Sequence, residues 1–288
     1  MFESFGWFIA TIIGACVFAT GGFFLRLATS KDPRSNDITL FGLYISGSLC
    51  FFLLAMIQGA FTIAPIIIIS GIMIGFGSVF GNYFWVKGFT KGPSSLSGPL
   101  INTNAILVIF MSILFFGEQL RWLEIAGIVL ILLSVSLISY DPNETLRIKD
   151  NIWFALIAGS IVMFFIRSGG LKITDEMGFN NTIILAYGYA VGIPYFAMSL
   201  RRDPSIWQAD WLRFSLGLGL VAGVFSFGGM QLFAYSIANG PASIVAPIFS
   251  MNGLVFASLT IILLGERLSR YQAIAMIGCV IGLVLIRI

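Results

Sequence analysis

The sequence predicts an all-α integral membrane protein of ten transmembrane helices, arranged as two inverted five-helix repeats. Three observations carry that prediction. Of 288 residues, 58% are hydrophobic and 10% charged, and the mean hydropathy is +0.98; a water-soluble domain carries roughly a quarter charged residues. Apolar stretches of about 20 residues, the length that crosses a bilayer, follow one another with short polar gaps between them. Finally, GPSSLSGPLINTN…FFGEQL from Gly92 and GPASIVAPIFSMN…LLGERL from Gly240 share one pattern at an offset of 240 − 92 = 148 residues.

The ten expected spans lie near residues 5–28, 38–58, 63–89, 93–116, 121–140, 152–172, 181–200, 211–237, 241–264 and 270–287. The first follows Met1-Phe2-Glu3-Ser4 without a basic leader and reads as a retained span rather than a cleaved signal. The second holds no basic residue and offers only Tyr44. Glycines four apart recur in the third (Gly71/Gly75, Gly77/Gly81), the eighth (Gly219/Gly223) and the tenth (Gly278/Gly282). They fit close helix packing or sliding surfaces. In the fourth and ninth, Pro93 and Pro241 open the first turn, where a missing N–H costs nothing. Pro99 and Pro247 lie six residues further in and bend the helix; the bend either shapes a cavity or is merely tolerated. A Gly-Glu-x-Leu turn precedes the fifth and again the tenth. The sixth carries Arg167, followed by Ser168-Gly169-Gly170, and the seventh carries Tyr187, Tyr189 and Tyr195.

The chain therefore divides into a first repeat over 1–140, a polar linker over 141–151 and a second repeat over 152–288. The offset holds without a gap from Gly81/Gly229 to Ile138/Ile286. It includes Pro99/Pro247, Asn104/Asn252 and Glu118/Glu266, residue types that do not match by chance in an apolar sequence. A weaker rhyme joins Phe23-Phe24-Leu25-Arg26 to Phe164-Phe165-Ile166-Arg167. Five spans per half is an odd number, so the second half enters the membrane from the opposite side. Lys and Arg flanking the connections after odd-numbered spans outnumber those elsewhere by twelve to four, which places both termini outside the cytoplasm.

Composition excludes much. The spans leave no room for a soluble catalytic domain. The absence of histidine removes Ser-His hydrolysis, HExxH chemistry and His-ligated metal. Cys16, Cys50 and Cys279 sit in apolar spans as buried free thiols. A net charge of +3 is too small to argue for nucleic acid, and Arg201-Arg202 fits a membrane flank. The thirteen acidic residues fall in loops or near helix ends, which disfavours a proton relay on a buried carboxylate. Neither an enzyme nor a cofactor nor a metal is expected; the expected partners are a small-molecule substrate and the lipid bilayer, with a monomer as a workable state.

Polar side chains inside a membrane are functional candidates by default. Asn104 and Asn252 fall near the middle of their spans and suit either a midplane substrate site or helix–helix hydrogen bonding. Tyr83 and Lys87 share one helical face, matched at the same offset by Gln231 and Tyr235, with Asn82 and Trp85 beside them. These offer hydrogen bonds and aromatic surface to an amphipathic solute, while Lys87 also reads as a snorkelling interfacial residue. Arg167 needs an anionic partner, which a substrate can supply, unless it lies at the far interface. Glu118 and Glu266 are expected to cap the helices that follow them. The substrate-binding set is thus Asn82, Tyr83, Trp85, Asn104, Arg167, Gln231, Tyr235 and Asn252.

The Gly-Pro-x-Ser opening, the Gly-Glu-x-Leu turn and the apolar span after it, present twice, resemble the EamA-type family, the ten-helix branch of the drug/metabolite transporter superfamily. The match is close over 81–138 and 229–286. The resemblance implies a five-plus-five inverted fold and alternating-access transport of small metabolites, amino acids among them, across the cell membrane. Two departures stand out. Many members carry a basic residue in the second span, absent here, and members are usually drawn with cytoplasmic termini. The expectation is a secondary transporter of a small polar or amphipathic metabolite. Its rivals are a broad drug exporter and a non-transporting scaffold or lipid-binding protein.

Overall fold

The computed structural model describes residues 3–29, 35–91, 100–138, 151–202, 206, 210–264 and 270–287. These form α1 Glu3–Thr29, α2 Asn36–Ile57, α3 Pro65–Lys91, α4 Asn104–Phe116, α5 Trp122–Ile138, α6 Ile152–Glu176, α7 Asn181–Arg202, α8 Leu212–Asn239, α9 Ala242–Ser250, α10 Asn252–Leu264 and α11 Arg270–Arg287. No strand occurs among the described residues. Among the described residues seven helices are long and apolar enough to cross a membrane, and Leu100–Phe116, Trp122–Leu137 and Ala242–Phe256 are shorter apolar stretches. Large apolar side chains such as Leu114, Phe115, Trp122 and Ile277 point outward, where acyl chains rather than water meet them. The linker, apart from Asn151, and the segment 92–99 lie outside the described residues.

The expected bend in the ninth span proves to be a break, and it lies beyond the proline. α9 ends at Ser250 and α10 begins at Asn252, with Pro247 inside α9. Across the break Met251 N–H donates to Ile248 O at 3.1 Å and Leu254 N–H to Met251 O at 2.9 Å. The fourth span breaks in the same way at Thr103, which donates to Leu100 O at 3.1 Å while Ile106 donates to Thr103 O at 2.9 Å. The two breaks are 251 − 103 = 148 residues apart. Proline removes one helical hydrogen bond and crowds the turn before it; the chain answers with a tighter turn four residues on. Pro99 itself lies outside the described residues.

The main helix pairings are unchanged when the halves are exchanged. α1 packs on α8 as α6 packs on α3, and α2 packs on α8 as α7 packs on α3; α2–α7, α4–α9 and α5–α11 pair across the halves. Small residues set these contacts. A Cβ at Gly219 would strike Thr39 O as one at Gly71 would strike Ile184 O, and a Cβ at Gly223 would strike Leu43 O as one at Gly75 would strike Gly188 O. The glycine pairs are close-packing surfaces, as expected of membrane helices. They also fix the register: 184 − 39 = 188 − 43 = 145 for α2 and α7, against 148 for α3 and α8.

The register corrects one sequence expectation. Gly229 lies against Phe18 as Gly81 lies against Phe164, and Gly21 against Phe225 as Gly77 against Arg167. The α1/α6 offset is therefore 164 − 18 = 146, and the rhyme between Phe23–Arg26 and Phe164–Arg167 is out of step by five residues. The counterpart of Arg167 is Gly21, and Arg26 answers to Lys172. A Phe-rich chain supplies such chance matches readily.

Candidate functional site between the two halves

Where α2 crosses α7, two tyrosines meet. A Cβ at Gly192 would collide with the Tyr44 ring, and one at Gly47 with the Tyr189 ring. Each ring thus occupies the space left by the other helix's glycine, at the shared offset 189 − 44 = 192 − 47 = 145. The ring centroids are 5.5 Å apart, and Phe196 stacks on Tyr44 at 5.5 Å. Tyr44 is fully buried and Tyr189 nearly so, so their hydroxyls need partners inside the protein. Tyr44 Oη lies 3.3 Å from Ser78 Oγ on α3, and Tyr189 Oη lies 2.6 Å from Ser226 Oγ on α8. Those serines are again 226 − 78 = 148 apart, near the midpoints of their helices.

The symmetry breaks beside this pair. Asn82 Nδ2 donates to Tyr44 Oη at 3.1 Å, whereas its counterpart Met230 is a buried apolar side chain. Arg167 enters from α6, its backbone N within 2.9 Å of where a Gly77 Cβ would stand. Its guanidinium carbon sits 4.7 Å from the Phe164 ring centroid, a cation–π contact. Arg167 makes no hydrogen bond or ion pair among the described residues; its Nε is sealed, while the residue as a whole stays partly accessible. It belongs to the interior rather than to an interface.

The other candidates disperse. Trp85 packs edge-on against Phe164 at 6.4 Å, in a cluster with Ile101, Trp153 and Ile157; Trp85 and Arg167 therefore both meet Phe164. Tyr83 turns elsewhere, accepting a hydrogen bond from Lys87 Nζ at 2.7 Å and meeting Tyr195 edge-on. Gln231 Nε2 donates to Thr182 Oγ1 at 2.9 Å, and Tyr235 is 48% exposed on the outer surface. Asn104 and Asn252 make the same bond in both halves, donating to Ile101 O and Phe249 O at 2.7 Å. They donate to carbonyls beside the helix breaks, leaving their Oδ1 atoms without partners among the described residues. Among those residues no three His, Cys, Asp or Glu side chains gather as a metal site. Two apolar grooves of about 260 and 690 Å³ lie on α11 and on α4–α5 and touch none of the candidates.

Glu118 caps a helix other than the one expected. Its Oε1 accepts from Ala242 N–H at 3.0 Å and its Oε2 from Ser243 N–H at 2.9 Å and Ser243 Oγ at 2.6 Å. It thus caps α9 in the other half. The turn into α5 is capped instead by Glu124, which accepts from Arg121 N–H at 2.7 Å, a reach-back from the third helical position. Lys172 lies 3.5 Å from Glu118 and 2.6 Å from Glu176. Glu266 lies outside the described residues. Sequence reading missed Tyr44, Tyr189, Ser78 and Ser226 as a unit. The signal was present as Tyr-x-x-Gly in the second and seventh spans, but at an offset three residues short of the one that aligned the rest.

Comparison with known proteins bears on the family and the fold. The model of the EamA-like transporter family matches residues 5–140 and again 152–288. A search of curated proteins returned no match. Among solved structures, one described only as a crystal structure of a protein superimposes with a TM-score of 0.74 at 15% identity, covering 97% of this chain and 96% of that one; it speaks to the fold alone. The chain is a multi-pass membrane protein and belongs to the EamA-like transporter family.

Proposed function

We propose that the protein is a secondary transporter moving a small polar or amphipathic metabolite, such as an amino acid or a related solute, across the cell membrane by alternating access. In this reading the halves are inverted copies that cross the bilayer ten times, the broken fourth and ninth helices counting as one span each. The Lys/Arg bias then sets both termini outside the cytoplasm. The observation that carries the reading is the exchange-invariant contact of Tyr44 and Tyr189 between the halves, with polar atoms on Arg167, Asn104 and Asn252 left unpaired among the described residues. Binding at the junction of two repeats is how such transporters place their sites. Asn82, Trp85 and Arg167 form the core of the proposed site. Tyr83, Asn104, Gln231, Tyr235 and Asn252 are proposed to line the route to it.

Purified protein in liposomes, assayed for uptake and counterflow of a broad metabolite panel, tests the proposal. Saturable flux of at least one solute is expected. No flux above protein-free liposomes for any solute, with the protein shown to be folded, would leave a scaffold or lipid-binding role.

A further inference from the structure

We propose that Arg167 is the receptor for a single carboxylate on the transported solute, so that the substrate is an organic monoanion or zwitterion rather than a neutral or cationic molecule. This rests on the transporter reading above. A guanidinium cannot shed its charge in a protein, and a charged group at membrane depth is retained where it has a partner or a task. Lys172 shows what a structural cation looks like in this fold: it is held by Glu118 and Glu176. Among the described residues Arg167 has no carboxylate partner. Its charge meets the face of Phe164, which orients the guanidinium without neutralising it.

Asymmetry points the same way. The counterpart position holds Gly21, so exchange of the halves, which accounts for the other contacts, does not require an arginine here. The Arg167 backbone packs on Gly77, the residue before Ser78, Ser78 and Asn82 both bond to Tyr44, and no acidic side chain pairs with Arg167 among the described residues. The charge inventory also sets the ligand class. Lys172 is already held by carboxylates, and Lys87 is exposed against Tyr83. At Arg167, one guanidinium without a carboxylate partner among the described residues suits one negative charge, whereas a phosphate dianion would bring one too many. A planar fork facing a planar carboxylate is the geometry arginine serves best.

The test is thermal unfolding of the purified full-length protein with matched pairs: L-alanine against L-alaninamide, L-phenylalanine against L-phenylalaninamide, and phenylacetate against phenylacetamide. At least one acid is expected to raise the melting temperature in a concentration-dependent way while its amide does not. Arg167→Gln is expected to weaken that acid by about tenfold or more. Arg167→Lys keeps the charge but loses the fork; it is expected to fall between and serves if Arg167→Gln fails to fold. The assignment is overturned if no acid stabilises the protein, if the amides act equally, or if both variants respond as the wild type does. Liposome flux separates the two readings. Flux of neutral solutes surviving in Arg167→Gln leaves a transporter without a carboxylate receptor. Arg167-dependent stabilisation with no flux of any solute leaves a binding site without transport.

Discussion

Replacing Glu118 by alanine removes a carboxylate that one half uses to cap a helix of the other. Glu118 accepts three hydrogen bonds from Ala242 and Ser243 and faces Lys172 at 3.5 Å, with 12% of its side chain exposed. Hydrogen bonds to charged groups contribute about 1.5–3 kcal/mol each, but three on one carboxylate are not additive. Loss of a cap costs up to about 2 kcal/mol. Lys172 keeps Glu176, so the full penalty of about 3–5 kcal/mol for stranding a buried charge does not apply. The expected loss is about 2–4 kcal/mol, or roughly 4–8 °C in melting temperature at about 2 °C per kcal/mol. Differential scanning fluorimetry in detergent measures it. Ser243→Ala is expected to couple to it in a double-mutant cycle by about 0.5–3 kcal/mol. Glu176→Ala, whose side chain is 45% exposed, is expected to stay within about 1 kcal/mol. A loss below about 0.5 kcal/mol for Glu118→Ala, or additive Glu118 and Ser243 changes, would refute the claim that this carboxylate joins the halves.

Gly75→Ala drives a methyl group into Gly188 O and is expected to cost about 1–3 kcal/mol, while Gly217→Ala meets nothing within 4 Å and is expected to gain about 0.5–1 kcal/mol in the same melting assay. Tyr189→Phe leaves buried Ser226 without its 2.6 Å partner, for an expected loss of about 1–3 kcal/mol; the Tyr189→Phe/Ser226→Ala pair recovers part of it. Asn252→Ala and Asn104→Ala remove matching bonds at the helix breaks, and each is expected to lower stability by about 0.5–1.5 kcal/mol.

The membrane class and the duplication were legible because each is written in residue types: apolar length for one, prolines, asparagines and glutamates at a fixed offset for the other. The all-helical architecture followed from those. What was not legible was register away from the matched segment. Loops of different length shift the offset from 148 in α3 and α8 to 145 in α2 and α7 and 146 in α1 and α6, and apolar residues cannot report the shift. Hence Phe23–Arg26 was set against the wrong stretch of α6, and the Tyr-x-x-Gly of each half passed unnoticed. Asn104 and Asn252 were found by position, yet their use depends on breaks that proline announces without locating. Glu118 was recognised as a cap, but which N-terminus it caps is a tertiary fact.

Symmetry and its violations divide the labour in this fold. Contacts that survive exchange of the halves, glycine on backbone and Tyr44 over Gly192 against Tyr189 over Gly47, present the same surface whichever half is named first. In an alternating-access cycle, where the halves trade conformations, such contacts persist at little cost and suit a fulcrum. A contact with no counterpart after exchange is different in kind. Arg167 opposite Gly21 and Asn82 opposite Met230 put the polar chemistry on one side of the axis, so a solute held there is bound mainly through α3 and α6. These two helices pack on each other through Gly77 and Gly81 and can move as a pair. In that cycle the charge would travel with one rigid pair of helices, and its solvation would change only as the opposite wall moves. On the carboxylate-receptor proposal, a transporter so built would need no buried acid to couple motion to binding, because the solute's own charge would complete the ion pair.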